Sequence, residues 1–444
     1  ALGPQMRAVK AALEERLGTW RAAGDMTRLA TSKTIVVVHD DLEESHNVAS
    51  VRIKDAVVNN GAQLIVIGAL RSELVDFAAL WIRPAGGEEG LAAARLADAL
   101  GGAQADNDEI AGAAEMLRAA DHEQTIVVVA PNPVSPAVAA SMAGGAANLA
   151  IALWGDAASE NLVELPAEVN VHGLLDMGVG VSNGGNPLEG LAGLLVVRDD
   201  PTVRLPGAAA ALDSIGTIVV VDDILHETAK RASVVIADGR AYGTAGTFTQ
   251  GDYRVQRLQR AVRPLGTAVA GATALSGIAA GLGLEVPADP DAILGEIAKA
   301  NDAYRPAYDL IVGEGVRLAI SGSGKGKIVP LEALPVGDGI RVIAARDLFT
   351  ALDAAMLRHP DAEKLHRYDR IQVSEQDAAR LGISDYDEIE LTDGRTTIRA
   401  RASVQERVPE GHVFVSSLLQ GGAVVNLFAE AAIPVVRIGV PVGA

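Results

Sequence analysis

Acidic side chains directly follow several apolar runs of this 444-residue chain, and they are the residues best placed to do chemistry. The positions are His39, Asp40 and Asp41 after "TIVVV", Asp199 and Asp200 after "GLLVVR", and Asp222 and Asp223 after a second "TIVVV". If the runs are parallel strands, these side chains lie at the carboxyl edge of a sheet, where α/β proteins bind ligands. A carboxylate about 4 Å from a phosphate costs roughly 4 kcal/mol at an effective dielectric of about 20, so this edge disfavours a pyrophosphate.

The stretch "GTAGTFTQGDYRVQ" at 243–256 is a second candidate site, because it places glycines, hydroxyls and a Tyr-Arg pair after a strand-like run. It is either a ligand loop or a structural turn, and we predict a structural turn. The preceding "SVVIA" at 233–237 has the composition of a core strand. Arg254 would then meet the strand-end carboxylates, which a guanidinium can bind bidentately.

Several other kinds of site are disfavoured by the sequence. There is no cysteine, so the chain offers no thiolate for zinc or for an iron–sulfur cluster. The eight histidines are scattered, and no HExxH, CxxC or GxxxxGK[ST] motif occurs. A net charge of −19 argues against nucleic acid or anionic lipid as a partner. We find no run of about twenty apolar residues that would span a bilayer, so no membrane insertion is expected.

The apolar runs have the length and composition of strands buried on both faces of a parallel sheet. They lie at 34–38, 63–68, 125–130, 193–198 and 217–222, with Ala-rich segments of helical period between them. In "HNVASVRIKDAVVNNG" at 46–61, five residues are predicted to share the core-facing side, namely Val48, Val51, Ile53, Ala56 and Val57. Strand–helix–strand repetition predicts α/β layers.

The pattern changes near residue 365. Ser374 as N-cap, Asp377 at the capping-box position and Gly382 as stop predict one short helix. Alternating segments "EIELT" and "TTIRARASV" follow, around the hairpin signal "DG". The expected division is therefore a first Rossmann-like α/β domain at 1–110, a second α/β domain at 111–352, and a C-terminal β-barrel at 366–444.

Four segments, in chain order, resemble the molybdopterin oxidoreductase family. The segment from 34 to 91 resembles the family's strand, "ES/AHP" turn, helix, "GAKLIVID" strand and "RPGTE". "NVHGLLDMGV" at 170–179 resembles "aNv.Ga.dmG", and "ETAKRASVVIADGRAYGTAGTFTQGDYRVQ" resembles "ETA..ADVVLP…E..GTF.N.EGR.Q". Residues 371–426 resemble the family's C-terminal barrel. The resemblance is nearest to the G subunit of the bacterial NADH-quinone oxidoreductase, respiratory complex I, without the N-terminal iron–sulfur region of that protein.

The resemblance implies layered Rossmann-like parallel sheets, a C-terminal small β-barrel, and a cleft for a molybdopterin dinucleotide. The vestigial positions of that cleft in this chain are His39, Asp40, Asp199, Asp222, Gly246, Thr247, Gln250, Arg254 and Asn426. Two polar positions of the family's loop have changed here, since its Glu is Gly243 and its Asn is Gln250.

The family's molybdenum ligand is usually Cys, selenocysteine or Ser, and less often Asp. The matching stretch of this chain, 17–33, has no Cys, and its oxygen donors are Thr19, Asp25, Thr27 and Thr31. Helix capping explains these four better than metal binding does. We therefore expect no catalytic residue, no metal and no cofactor in this chain, with iron–sulfur clusters only in the missing N-terminal region.

The resemblance thus implies a scaffold or accessory portion of an NADH-quinone oxidoreductase subunit, in which clusters outside this chain carry electrons from NADH toward quinone. Its partners would be other hydrophilic-arm subunits, and its location would be cytoplasmic and peripheral to the inner membrane. Two alternatives stay open. One is a working molybdopterin enzyme of the formate dehydrogenase or nitrate reductase kind, and the other is a non-redox interaction protein.

Overall fold

The computed structural model describes residues 3–180, 186–239, 241–308, 315–320, 324–346 and 370–440. The chain forms two compact units. We call residues 2–168 together with 321–444 the main unit, and residues 169–320 the inserted unit. The domain limits expected at 352 and 366 lie outside the described residues.

The main unit is built on a parallel sheet of order β3-β2-β1-β4-β5. Its strands are β1 (Thr34–Val38), β2 (Gln63–Ile67), β3 (Leu80–Ile82), β4 (Thr125–Val129) and β5 (Leu162–Glu164). Every residue of the two "TIVVV" strands, β1 and β4, is buried, as strands covered on both faces should be. The sheet draws strands from both sides of residue 110, so the expected boundary at 110 and 111 falls inside one sheet.

Helices cover both faces of this sheet. They are α1 (Pro4–Leu17), α2 (Leu42–Ser45), α3 (Asn47–Asn60), α4 (Glu89–Leu100), α5 (Asp108–Ala119) and α6 (Pro136–Trp154). The backbones of α4 and α6 come together at two glycines, because a Cβ placed on Gly145 would lie 1.9 Å from the carbonyl oxygen of Gly90. No larger residue fits at this crossing.

The core-facing side predicted for α3 is wrong in part. Ala49, Ile53 and Ala56 are buried, whereas Val48 is 75% exposed and Val51 is 52% exposed. The i, i+4, i+7 spacing of the three buried residues defines the inner stripe, and Val48 lies on the other side of the helix. The left-handed Gly61 ends the helix as predicted.

The segment Pro136–Glu160 is a correction to the expectation that no run could span a bilayer. By length and composition alone this one helical segment could cross a membrane, among the residues that the structure describes. Within its most apolar window, 78% is buried inside the protein, and a core helix of a soluble protein passes the same test. The finding is therefore weak evidence for membrane insertion.

The inserted unit contains a smaller parallel sheet, β6-β7-β8, and an antiparallel sheet, β11-β10-β9. The strands are β6 (Gly193–Val197), β7 (Thr217–Asp222), β8 (Val234–Ala237), β9 (Gly246–Thr249), β10 (Arg254–Leu258) and β11 (Val316–Arg317). The helices are α7 (Val171–Asp176), α8 (Ala208–Asp213), α9 (Glu227–Arg231), α10 (Gly271–Gly281), α11 (Pro290–Ala300) and α12 (Arg305–Tyr308).

One face of the parallel sheet packs on α8 and α9, where Ile218 and Val220 meet Leu212 and Ala229. The expectation that "SVVIA" forms a core strand is wrong. It forms β8 at the edge of the sheet, where Val234 is 50% and Val235 43% exposed. An edge strand has a neighbour on one side only, which the sequence pattern does not reveal.

The rest of the main unit is a closed barrel of order β12-β16-β13-β15-β14-β17 in the described residues. Its elements are β12 (Ile340–Ala345), β13 (Arg370–Val373), α13 (Glu375–Leu381), β14 (Glu388–Thr392), β15 (Thr397–Val404), β16 (His412–Ser416) and β17 (Val435–Gly439). The predicted barrel is confirmed, although β12 begins it well before residue 366. Ser374 accepts the amide hydrogen bond of Asp377, and Gly382 is left-handed, as the capping pattern predicted.

Candidate functional site

The turn after β1 in the main unit holds the first of the predicted cleft residues. His39 is buried, and its Nδ1 accepts a hydrogen bond from the amide of Leu42 at 2.7 Å. Asp41 caps α2 by accepting from the amide of Glu44 at 3.3 Å, and it pairs with Arg407 at 2.5 Å. The first amides of α2 are therefore bonded to side chains of their own turn.

Asp40 lies beside an asparagine that the sequence analysis did not single out. The Asn132 amide nitrogen donates to Asp40 at 2.8 Å and to the carbonyl of Ala344 in β12 at 3.0 Å. The Asn132 side-chain oxygen accepts from the amides of Val134 and Ser135. Asn132 thus joins two strand ends to the barrel, and the "PNP" turn after β4 is the sequence signal that could have revealed it.

Buried carboxyl groups at this edge have raised pKa values. Burial raises the pKa of Asp40 to about 6, against the lowering effect of the Asn132 hydrogen bond. Burial and the nearby Asp41 raise the pKa of Glu43 to about 7. Burial, with repulsion from Asp40, raises the pKa of Glu89 well above its usual value. Burial lowers the pKa of His39 to about 4, so this histidine is neutral and cannot neutralise the acids.

The barrel covers the same edge of the main sheet. The amide of Gly86 donates to His412 Nε2 at 3.0 Å, and Ser135 Oγ donates to the carbonyl of Ala432 at 2.8 Å. Leu70 packs with Ile343 and Phe414 of the barrel strands in one apolar cluster. Asn426, the predicted cleft residue of the barrel, lies in the 3-10 segment Leu419–Phe428 with an exposed side chain.

In the inserted unit, Asp222 belongs to a buried charge cluster with Asp200 and His226. His226 Nδ1 lies 3.3 Å from Asp200, and its Nε2 lies 3.3 Å from Asp222. Burial alone would lower the pKa of His226, but hydrogen bonds to the two aspartates raise it to about 9. The amide of Ala229 lies 3.2 Å from Nδ1, a contact that only the neutral ring could accept as a hydrogen bond. The carboxylates on both sides of the ring favour its charged form instead.

Despite burial, hydrogen bonds from His226, Thr202 and Thr228 lower the pKa of Asp200 far below its usual range. Asp199 pairs with Arg204. Another pair at this edge joins Arg198, which ends β6 and also donates to Thr244, to the buried Asp238. These acids therefore each lie beside a cation of the same unit, with His226 shared by two of them.

The loop 243–256 is anchored within the inserted unit. Tyr253 is fully buried and stacks on His172, with ring centroids 4.4 Å apart and 13° between the planes. His172 Nδ1 lies 3.2 Å from the carbonyl oxygen of Gln250, and the Gln250 and Gln256 side chains bond each other. The amide of Thr249 donates to Asn170 at 2.9 Å. These contacts fit the predicted structural turn.

Arg254 has a carboxylate partner within its own turn. It pairs with Asp252, two residues before it, at 3.6 Å. Asp40, Asp41 and Asp222 pair with Asn132, Arg407 and His226 instead. The turn itself supplies the carboxylate, because the antiparallel β9–β10 connection folds Asp252 back beside Arg254.

Gly246 and Thr247 lie at the opposite end of the β9–β10 hairpin from this turn. They line a cavity of about 260 Å³ together with Arg257, whose guanidinium pairs with Asp291 at 2.5 Å. Gly246 and Thr247 therefore lie at one end of the hairpin, and Gln250 and Arg254 lie at the other.

The four oxygen donors weighed as metal ligands lie in turns and caps. Asp25 caps the 3-10 helix Met26–Ala30 by accepting from the amide and the hydroxyl of Thr27, and Thr31 ends that helix. Thr19 accepts from the amide of Arg21 at 3.2 Å. Across the described residues, no group of three or more His, Cys, Asp or Glu could hold a metal ion.

A pyrophosphate at the strand ends needs free backbone amides or cations, and several amides of the described turns are already bonded to side chains, while the nearby cations pair with carboxylates. In the main unit, His39, Asp41 and Asn132 already accept amides of the turns after β1 and β4. In the inserted unit, Asp200 and Asp222 accept amides of the turns after β6 and β7. The residues at these ends therefore fit a dinucleotide poorly.

Parallel α/β sheets with a C-terminal closed barrel define the fold class of the molybdopterin enzymes. Acetylene hydratase from Pelobacter acetylenicus shares this fold, with a TM-score of 0.68 over 97% of this chain and 80% of that one, at 14% identity. Residues 353–436 match the molydopterin dinucleotide binding domain.

Curated relatives are subunits of oxidoreductases. The chain is 30% identical to the second G subunit of NADH-quinone oxidoreductase from Rhizobium meliloti, over 51% of this chain and 27% of that protein. It is 27% identical to the NADPH-Fe(3+) oxidoreductase subunit alpha of Geobacter sulfurreducens, over 62% and 36%. It is also 27% identical to the F420-dependent formate dehydrogenase subunit alpha of Methanocaldococcus jannaschii, over 50% and 38%. The chain is thus similar to the molybdopterin oxidoreductases in fold, in its C-terminal domain and in sequence, and it spans well under half the length of these relatives.

Proposed function

We propose that this chain is a scaffold portion of an NADH-quinone oxidoreductase subunit and holds no molybdopterin. Electrons would pass from NADH toward quinone through clusters carried outside this chain. Its partners would be other subunits of the hydrophilic arm, and it would lie on the cytoplasmic side, peripheral to the inner membrane. The relationship to the Rhizobium NADH-quinone oxidoreductase subunit supports this proposal, although that match is partial.

The occupied strand ends carry the proposal. The turn amides that could bind a pyrophosphate are bonded to His39, Asp41, Asn132, Asp200 and Asp222. Three of these five side chains are acidic, and the other two lie beside buried acids. A dinucleotide would have to break these bonds and approach carboxylates, at a cost of several kcal/mol. The chain also lacks cysteine, the usual protein ligand of molybdenum in the family.

Deletion of the gene in the source organism tests the scaffold role. We expect less assembled NADH-quinone oxidoreductase on native gels, and full recovery with the intact gene. Thr247→Ala is the control variant. Thr247 would contact the cofactor if the family's cleft were occupied, but a scaffold role does not require it. The variant should leave NADH-quinone turnover per assembled complex unchanged. Normal assembly after deletion would contradict the proposal.

A working molybdopterin enzyme is the second candidate, since the dinucleotide-binding domain is present and formate dehydrogenase subunits are among the relatives. Its signature would be formate-dependent or nitrate-dependent dye reduction that disappears when cells grow with tungstate in place of molybdate. We expect neither activity from the purified chain.

A further inference from the structure

Helix α3 carries a second apolar stripe that faces solvent. Val48 is 75% exposed, Val51 is 52% exposed and Val58 is 65% exposed. The inner stripe of the same helix, which includes Ala49, is buried against the main sheet. At 100° per residue the exposed stripe lies opposite the buried one, so α3 is apolar on two sides.

The spacing of the exposed stripe is that of a helix that packs on another helix. Val48, Val51, Asp55 and Val58 are separated by three, four and three residues, which is the alternation of a and d positions in a helix–helix seam. A surface helix with a single partner needs only one such stripe. Val48, Val51 and Val58 have this spacing on the solvent-facing side of α3, and we therefore infer that the helix has a second packing partner.

The charge of Asp55 and the net charge of the chain indicate which kind of partner would bind the stripe. Asp55 lies in the middle of the stripe, where its carboxylate accepts a hydrogen bond from Asn59 at 2.5 Å. In an antiparallel pair of two copies in this register, Asp55 would pack against Val51 of the other copy and lose solvent. The net charge of −19 further opposes both self-association and an anionic membrane.

We propose that the stripe of Val48, Val51, Asp55 and Val58 binds an α-helix of another protein. The facing side of that helix would be aliphatic, with one lysine or arginine opposite Asp55. The relatives are named as subunits, which agrees with a protein partner. The inference does not depend on the chain being a complex I scaffold, and it holds for any multi-subunit member of the family.

A photo-reactive phenylalanine analogue at position 51, in the complex purified from the source organism, tests the proposal. The matched control carries the analogue at Tyr386, which is 48% exposed on the barrel of the same unit. We expect position 51, but not position 386, to cross-link to a helical, aliphatic peptide of another subunit that contains a lysine or arginine. A cross-link to a second copy or to lipid, or no cross-link to protein, would overturn the proposal.

Charge reversal supplies a second readout. Asp55→Lys should lower the yield of that cross-link at least tenfold, and reversal of the facing basic residue should restore it. Asp55→Asn should have a smaller effect. Because Asp55 lies on the solvent side of α3, these changes should leave the melting temperature of the isolated chain within about 2 °C. An unchanged cross-link after Asp55→Lys would refute the charge assignment.

Discussion

The pentapeptide "TIVVV" occurs three times in this chain, and its copies differ in burial between the two units. In the main unit, the copies at 34–38 and 125–129 form neighbouring central strands in which every residue is buried. In the inserted unit, the copy at 217–221 also forms a strand, but Thr217 is exposed and Val219 only partly buried. Identical residues thus form a strand in each place, while the helices that cover it decide the burial.

The two units also differ in how they treat buried charge. The main unit buries carboxyl groups such as Glu89 and Asp40, and burial raises their pKa values. The inserted unit encloses His226 between Asp200 and Asp222, so that opposite charges stabilise one another. A buried carboxyl without a cation costs stability, whereas in a paired cluster the attraction offsets part of the desolvation cost, and removal of one partner exposes that cost in full.

The largest effect should come from breaking the charged cluster of the inserted unit. His226→Gln leaves two aspartates buried without their cation, and we expect a loss of about 3 kcal/mol. Hydrogen exchange of the β7 amides in the full chain measures it, with His122→Gln as the control. Unchanged protection would show that the cluster is not charged.

The stabilisation that His226 provides should also depend on pH. The folded pKa of His226 is raised to about 9, above its ordinary value of 6.5. Its stabilisation is therefore complete below about pH 6.5 and is lost as the pH rises through 9. His226→Gln should remove this loss of β7 protection between pH 6.5 and 9.

Matched valines in the repeated pentapeptide test the packing difference. Val36 and Val219 hold the same position in "TIVVV", but Val36 is fully buried and Val219 is not. We expect Val36→Ala to cost about 2 to 3 kcal/mol and Val219→Ala less than about 1 kcal/mol, because only the first leaves a closed cavity. Urea titration followed by hydrogen exchange of each sheet gives both values. Equal losses would mean that the open face of β7 is covered in solution.

Glu89→Gln should stabilise the main unit. Its folded pKa is raised above the ordinary 4.5, so the carboxyl group costs stability that grows as the pH rises above 4.5, and an amide has no such cost. We expect a gain of about 1 kcal/mol or more at pH 8 that vanishes near pH 4.5. Thermal melts at the two pH values check this, with the exposed Glu73→Gln as the control. A loss at pH 8 would show that Glu89 has a cationic partner.

Arg254→Ala should give the smallest effect among the charged residues. Arg254 pairs with Asp252 in its own turn at 3.6 Å, and the turn is also held by Tyr253 stacked on His172. We expect a loss near 1 kcal/mol in thermal unfolding. A loss as large as that of His226→Gln would restore the idea that Arg254 ties the turn to the strand-end acids.

Local signals in the sequence were enough to predict the five strands β1, β2, β4, β6 and β7, the Ser374-to-Gly382 helix and the presence of the barrel. Strand-length apolar runs, a capping box and an Asp-Gly turn each act within a few residues. The outward side of α3 and the exposed β8 depend on which neighbours are present, and the family pattern does not encode that. The partners of Arg254 and Asp40 depend on side chains such as Asp252 and Asn132, whose positions only the folded backbone determines.

The cofactor content of the purified chain tests the central claim most directly. Molybdenum is measured by mass spectrometry, and pterin by fluorescence after acid oxidation, in protein expressed in a host that loads a formate dehydrogenase alpha subunit in parallel. We predict far less than one molybdenum and one pterin per chain, while the loaded control reaches about one of each. Stoichiometric molybdenum or pterin in this chain would contradict the account.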